Sequence, residues 1–209
     1  MKAIPRSRFV LFWILAAGGC AVDLATKRWI FDRLGMPMAK PTEWLIQNVF
    51  GFTTSLNEGA LFGIGQGRVA LFALLSVVAL LGILYWLFVS GAAHDLLLTV
   101  ALGSVCAGIF GNLYDRLGLP RLTWDFPPGR QGEPVYAVRD WLHFQIVGLI
   151  DWPIFNIADS LLVCGAGLLI WHAFRAELNA RSGPSGNAPA ALPVPEPTAP
   201  DSAGPKHAS

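Results

Sequence analysis

Four stretches of this chain, residues 9–29, 69–90, 96–114 and 152–174, are apolar for long enough to cross a bilayer. A crossing helix needs about 20 mostly apolar residues. Inside lipid no water is present to satisfy backbone N–H and C=O groups, so each such stretch must close its hydrogen bonds within itself as a helix. The composition points the same way: 54% of the residues are hydrophobic and only 14% are charged, with a mean hydropathy of +0.50. The expected fold class is therefore an all-α membrane protein of four transmembrane helices. The first stretch reads as a span and not as a cleaved leader, because Asp23 and Lys27-Arg28 end its apolar run and no small-residue cleavage site is evident. A net charge of +1 gives no reason to expect nucleic acid as a partner.

Orientation follows from Lys2, Arg6 and Arg8, which precede the first span and place the N-terminus in the cytoplasm. Four spans return the C-terminus to the same side, where Arg175 and Arg181 flank the last helix. The end of span one, the start of span two, the end of span three and the start of span four then share the outer face. Those places hold Asp23 and Lys27, Asn57 and Gly59, Asn112 to Arg116, and Asn156 to Asp159. Nearly every polar oddity of the chain converges at one membrane surface, whereas snorkelling end residues would populate both.

Between the spans, residues 43–57 are rich in β-branched and aromatic residues and end in the turn signal Asn57-Glu58-Gly59, so a small extracytoplasmic β-sheet or hairpin is expected. Residues 135–138 are a candidate further strand. Residues 117–131, with Pro120, Pro127, Pro128 and Gly129, read as an irregular loop. One four-span domain covers residues 1–181. Residues 182–209, dominated by Pro, Ala, Gly and Ser, read as a disordered cytoplasmic tail. In span three Gly103, Ala107 and Gly111 recur every four residues, a stripe that lets another helix approach closely. Cys20, Cys106 and Cys164 lie in apolar runs at no metal-binding spacing and read as small buried packing residues. Trp29, Trp44, Trp141 and Trp152 fit an interfacial belt.

The carboxylates expected at the outer face are Asp23, Asp115, Asp140, Asp151 and Asp159. Asp159 lies about two turns into the fourth stretch, and Asp140 just before that stretch. An ionisable residue at such depth costs at least a few kcal/mol and is by default a functional hypothesis. Two carboxyl groups held together share a proton, because one pKa rises. The ionised member can take a proton from water while the protonated member donates to a carbonyl oxygen, which is enough to hydrolyse a peptide bond without metal or covalent intermediate. No His-Glu-x-x-His or Gly-x-Ser-x-Gly pattern is present, and His94, His143, His172 and His207 are scattered. No metal or cofactor is expected. On the residues alone, Asp115 and Asp140 compete as the partner of Asp159, and the adjacent Arg116 could neutralise Asp115.

Five segments then carry a resemblance. They are Asp23-Leu24-Ala25-Thr26-Lys27, Asn57-Glu58-Gly59-Ala60-Leu61-Phe62, Gly111-Asn112-Leu113-Tyr114-Asp115-Arg116, Val138-Arg139-Asp140-Trp141 and Phe155-Asn156-Ile157-Ala158-Asp159-Ser160. In that order and on those spans they resemble the motifs of bacterial lipoprotein signal peptidase, the signal peptidase II family. The resemblance implies a catalytic dyad of Asp140 and Asp159. It implies supporting or substrate-binding roles for Asp23, Lys27, Asn57, Gly59, Asn112, Asp115, Arg116 and Asn156. It further implies an endopeptidase of the bacterial inner membrane that cuts prolipoproteins just before a diacylglyceryl-modified cysteine, with membrane lipid around it. A monomer is expected, since four helices can enclose such a site. The chain departs from the family pattern at Leu24, Trp141 and Arg139 and in a longer segment between Arg116 and Asp140. Arg139, if turned inward, would depress the pKa of Asp140. The bland readings are that Lys27 snorkels, that Asp23 fixes backbone near the site, that Asn57 and Gly59 only form a turn, and that Asn112 and Asn156 satisfy helix backbone and each other. A transporter or proton channel would need polar residues along a path to both faces, which the uncharged second span lacks. A scaffold without chemistry leaves five clustered polar motifs unexplained.

Overall fold

The computed structural model describes residues 3–59 and 65–181. Four helices in it are long and apolar enough to cross a membrane: α1 (Arg6–Leu34), α2 (Val69–Leu84, extended to Val89 by a π-helical turn), α3 (Leu96–Arg116) and α4 (Ile157–Arg181). A four-stranded antiparallel sheet in the order β1-β2-β3-β4 joins them at one end, from β1 (Glu43–Ile46), β2 (Phe50–Asn57), β3 (Val138–Ile146) and β4 (Ile150–Phe155). The expected class, four spans with a small sheet, is the one found. The expected tail at 182–209 and the Ala60-Leu61-Phe62 part of the second motif lie outside the described residues.

Helix α3 is the centre of the bundle, with α1, α2 and α4 all resting on it. Small residues make this possible on two faces. A Cβ on Gly103 would meet Leu15, and one on Gly19 would lie 2.7 Å from Ala107, so α1 and α3 touch along the expected stripe. A Cβ on Gly108 would lie 2.4 Å from the Ala158 carbonyl, and one on Gly165 would lie 2.8 Å from that of Ala101, which draws α4 equally close. Outward-facing Val10, Ile14, Leu74, Leu81, Val163 and Ile170 are exposed on the bundle. In lipid such side chains cost nothing, because the hydrocarbon is as apolar as they are.

Helix ends follow local chemistry. Gly35, at φ +81°, closes α1 by donating its N–H to Phe31 O at 2.9 Å. Asp95 caps α3, its Oδ1 accepting the Leu98 N–H at 3.0 Å, while its Oδ2 meets His172 Nε2 of α4 at 2.9 Å.

Four expectations are corrected. The fourth span does not begin at Trp152: residues 150–155 are strand β4, which contains Pro153, and the helix starts at Ile157. Asp159 therefore lies in the first turn of α4, not two turns in. Cys106 is buried, but Cys20 is half-buried and Cys164 exposed, so the cysteines do not form one buried class. Trp141 is buried against Ile30 and Leu34 of α1 and does not belong to a belt, although Trp29 and Trp152 are exposed. The extra strand expected at 135–138 is the lead-in to a longer one, Val138–Ile146.

Candidate active site

The site is built where the sheet meets the helix ends. Strand alternation sends neighbours on β3 to opposite sides, so Trp141 anchors the sheet on α1 while Asp140 turns to a cavity of about 420 Å³. A register irregularity in β2 between Phe52 and Ser55 lies opposite this point, with Ser55 paired to Asp140. Bulges of this kind re-aim side chains beside sites.

Asn156 and Asp159 form a reciprocal cap at the start of α4. Asn156 Oδ1 accepts the Asp159 N–H at 2.9 Å, and Asp159 Oδ2 accepts the Asn156 N–H at 3.2 Å. This is a capping box with Asp in the third helical position, and it satisfies two otherwise orphaned donors. It also fixes both side chains. Asn156 Nδ2 is left to donate to Asp140 Oδ1 at 2.6 Å and to Asn112 Oδ1 at 3.2 Å. One asparagine therefore bonds both carboxyl groups, and Asp140 and Asp159 line the same cavity.

Asn112 supplies the next link. Lys27 Nζ has only donors, so it must face Asn112 Oδ1, at 2.9 Å. Asn112 Nδ2 is thereby turned to Asp159 Oδ1 at 2.8 Å. Lys27 is wholly buried and lies 2.7 Å from Asp23 and 3.1 Å from Asp115. It does not snorkel. Asp23 Oδ1 accepts the Ala158 N–H at 2.9 Å, so α1 holds another of α4's first-turn donors. The backbone Asp23 fixes is therefore that of α4.

Arg116 does not neutralise Asp115. Asp115 pairs instead with Arg139, whose Nη2 lies 2.8 Å from Asp115 Oδ1 and whose backbone N–H donates to Oδ2 at 3.1 Å. Arg139 is thus turned to Asp115, and the inward turn that would have depressed the Asp140 pKa does not occur. Burial pushes the Asp140 carboxyl up to about 8, the charge of Asp159 adds to the rise, and Lys27 and the amides of Asn156 and Asn57 only partly oppose it. Arg116 lines the cavity and donates to Gly59 O at 3.0 Å. Asn57 Oδ1 accepts the Gly59 N–H at 2.9 Å, forming the expected turn at the cavity wall. Asp151 is exposed and meets His143 at 3.0 Å, apart from the cavity.

All ten sequence-expected site residues therefore gather at this end of the bundle. Sequence reasoning missed the cavity wall given by residues 152–155 and the clearance role of Gly111, where a Cβ would lie 2.3 Å from Asp23 Oδ2. It also missed the helix start at Asn156, although Asn156-x-x-Asp159 ahead of an apolar run is a capping signature.

Helices of spanning length around a buried acidic centre define a multi-pass membrane protein with its polar chemistry gathered at one end. The family model for signal peptidase (SPase) II matches residues 15–175. The chain is 45% identical over 172 residues to a lipoprotein signal peptidase of Rhodopirellula baltica, covering 82% of this chain and 75% of that one. It is 34% identical over 160 residues to one of Bacillus pumilus, covering 77% and 90%. A solved bacterial membrane enzyme superposes with a TM-score of 0.65 at 27% identity, over 89% of this chain and 96% of the other. The chain belongs to the signal peptidase II family, membrane peptidases whose role is to remove signal peptides from prolipoproteins.

Proposed function

We propose that this peptidase is of the aspartic type, with Asp140 and Asp159 as its dyad. The observation that carries the reading is the bridging of both carboxyl groups by Asn156 on one cavity wall. Neither carboxylate belongs to an ion pair among the described residues, whereas Asp23 and Asp115 both do. Asp140, its pKa raised by burial, holds the shared proton. Asp159, which two N–H donors turn toward accepting, takes a proton from water. The oxygen of that water bonds to the scissile carbonyl carbon as Asp140 gives its proton to the carbonyl oxygen. Collapse of the tetrahedral species breaks the C–N bond, and a proton passes to the departing amine.

The substrate is a prolipoprotein whose cysteine carries diacylglycerol. The cavity supports this: its polar end holds the two aspartates, while Ile109, Leu162, Val163 and Ala166 continue its lining along α3 and α4, with Val163 and Ala166 exposed on the lipid-facing side. Lipid chains need such an apolar continuation, and the peptide needs the polar end. The enzyme sits in the bacterial inner membrane as a monomer. Both termini are cytoplasmic and the dyad lies at the outer face, as the Lys2, Arg6 and Arg8 cluster supports.

Asp140→Asn and Asp159→Asn should each reduce cleavage of a diacylglyceryl-modified precursor by about a thousandfold or more, in protein that still melts cooperatively. Cleavage at the parental rate by either variant removes the dyad.

A further inference from the structure

The segment between α3 and β3 carries a feature that the chemistry above leaves unused. Residues 118–137 fold back on themselves as a compact flap. Its backbone is closed by Trp124 N–H to Glu133 O, Gly132 N–H to Trp124 O and Val135 N–H to Leu122 O, each at 2.9 Å, with Thr123 bridged to Pro134. At its tip Arg130 lies over the Trp124 ring, 4.2 Å from the centroid, and pairs with Glu133 at 3.2 Å. The same guanidinium reaches out of the flap to Glu58 Oε1 at 2.9 Å.

Glu58 is the middle residue of the Asn57–Gly59 turn at the cavity wall. Arg116 grips that turn from α3 through Gly59 O, and Gln66 meets it through the Glu58 N–H at 3.2 Å. Asn57 pairs with Val138 at the start of β3 and its side chain bonds Asp140. The flap, the turn and the strand bearing Asp140 therefore form one closed circuit, and Arg130–Glu58 is its side-chain link on the flap side.

We infer that Arg130 is a positioning residue: by fixing Glu58 it holds the Asn57–Gly59 turn in register with the cavity, and so sets how tightly the extended precursor is gripped. The inference rests on the cavity being the active site. A partly exposed ion pair contributes little to global stability. The flap closes its own backbone bonds without it, so losing the link loosens the turn on the flap side only and leaves the fold. Stacking on Trp124 pre-orients the guanidinium, which lessens the entropy lost in forming the pair.

The test is steady-state cleavage of a diacylglyceryl-modified precursor peptide by the full chain, with Arg130→Gln, Glu58→Gln and the exchanged pair Arg130→Glu with Glu58→Arg. Each single variant should raise KM about two- to fivefold with kcat within about twofold, in line with the loss of a partly exposed pair. The exchanged pair should recover at least half of that loss. Added salt should raise KM for the parent and move the single variants less, because the pair is screened. An unchanged KM, a fall confined to kcat, or an exchanged pair no better than the singles overturns the inference. Asp140→Asn is assayed alongside. If it is inactive while the Arg130 variants match the parent, this inference alone fails; if it cleaves normally, the site reading is what fails.

Discussion

Two acidic clusters lie side by side at one end of the bundle, and they are opposites. In the first, Asp23 and Asp115 close around Lys27 and Arg139, two carboxylates to two cations, all nearly or wholly buried. In the second, Asp140 and Asp159 share an asparagine, open on a cavity and pair with no cation among the described residues. Asn112 stands between, accepting from Lys27 and donating to Asp159. A buried carboxylate is made inert by a cation and hydrogen bonds that complete its shell. It is made reactive by leaving it to a second carboxylate. The first cluster also locates the second, since Asp23 holds the Ala158 N–H in the first turn of α4, next to Asp159.

That contrast is sharpest under matched substitutions. Asp115→Asn leaves Lys27 and Arg139 short of a buried partner and should cost about 3–5 kcal/mol of stability, while whatever remains folded still cleaves. Asp140→Asn should do the reverse, leaving a stable but inactive protein. Thermal melts in detergent beside cleavage assays decide it, and an Asp115→Asn protein that is fully stable yet dead would exchange the two clusters' roles.

A smaller loss is expected from Gly111→Ala. Its methyl group would enter the space of Asp23 Oδ2, 2.3 Å away, and backbone on a central helix cannot easily give. About 1–3 kcal/mol of destabilisation should follow. Gly103→Ala, where the nearest neighbour is a Leu15 side-chain carbon at 3.2 Å, should cost less.

A further effect is set by pH. Asp140 is raised from 3.8 to about 8 in the folded protein. The folded state therefore favours the protonated form, so the stability tied to this group is fully present below about 4 and lost as pH rises through 8. Activity should fall over the alkaline end of the same window, as the proton needed for the carbonyl oxygen departs. Asp140→Asn, which cannot ionise, should melt higher than the parent at pH 9 and show little difference at pH 4. An alkaline melting profile identical in the two proteins would mean that Asp140 is not held protonated by burial.

Much of this was legible in the residues. The spans were visible because lipid enforces long uninterrupted apolar runs, and α2 and α3 begin where those runs begin. The hairpin at 43–57 was visible in its alternation and its turn signal. The start of α4 was misplaced because strand β4 is itself apolar and merges with the helix in any hydropathy reading, although Pro153 and the Asn156 cap mark the break. Lys27 stayed open between a snorkelling and a supporting role for a related reason: a lysine near a helix end looks the same in sequence whether its ammonium reaches water or two buried carboxylates.

By itself the chain's order of residues determined which segments cross the bilayer and which carboxylates fall near their ends, since both depend on local hydrophobicity and spacing. Which carboxylate meets a cation and which meets another carboxylate was decided only in three dimensions. Arg139 sits beside Asp140 in sequence yet serves Asp115, because successive residues of a strand point to opposite sides. Asp159 shares a cavity with Asp140 because a cap at the start of α4 and a register irregularity across the sheet bring two distant segments to the same asparagine.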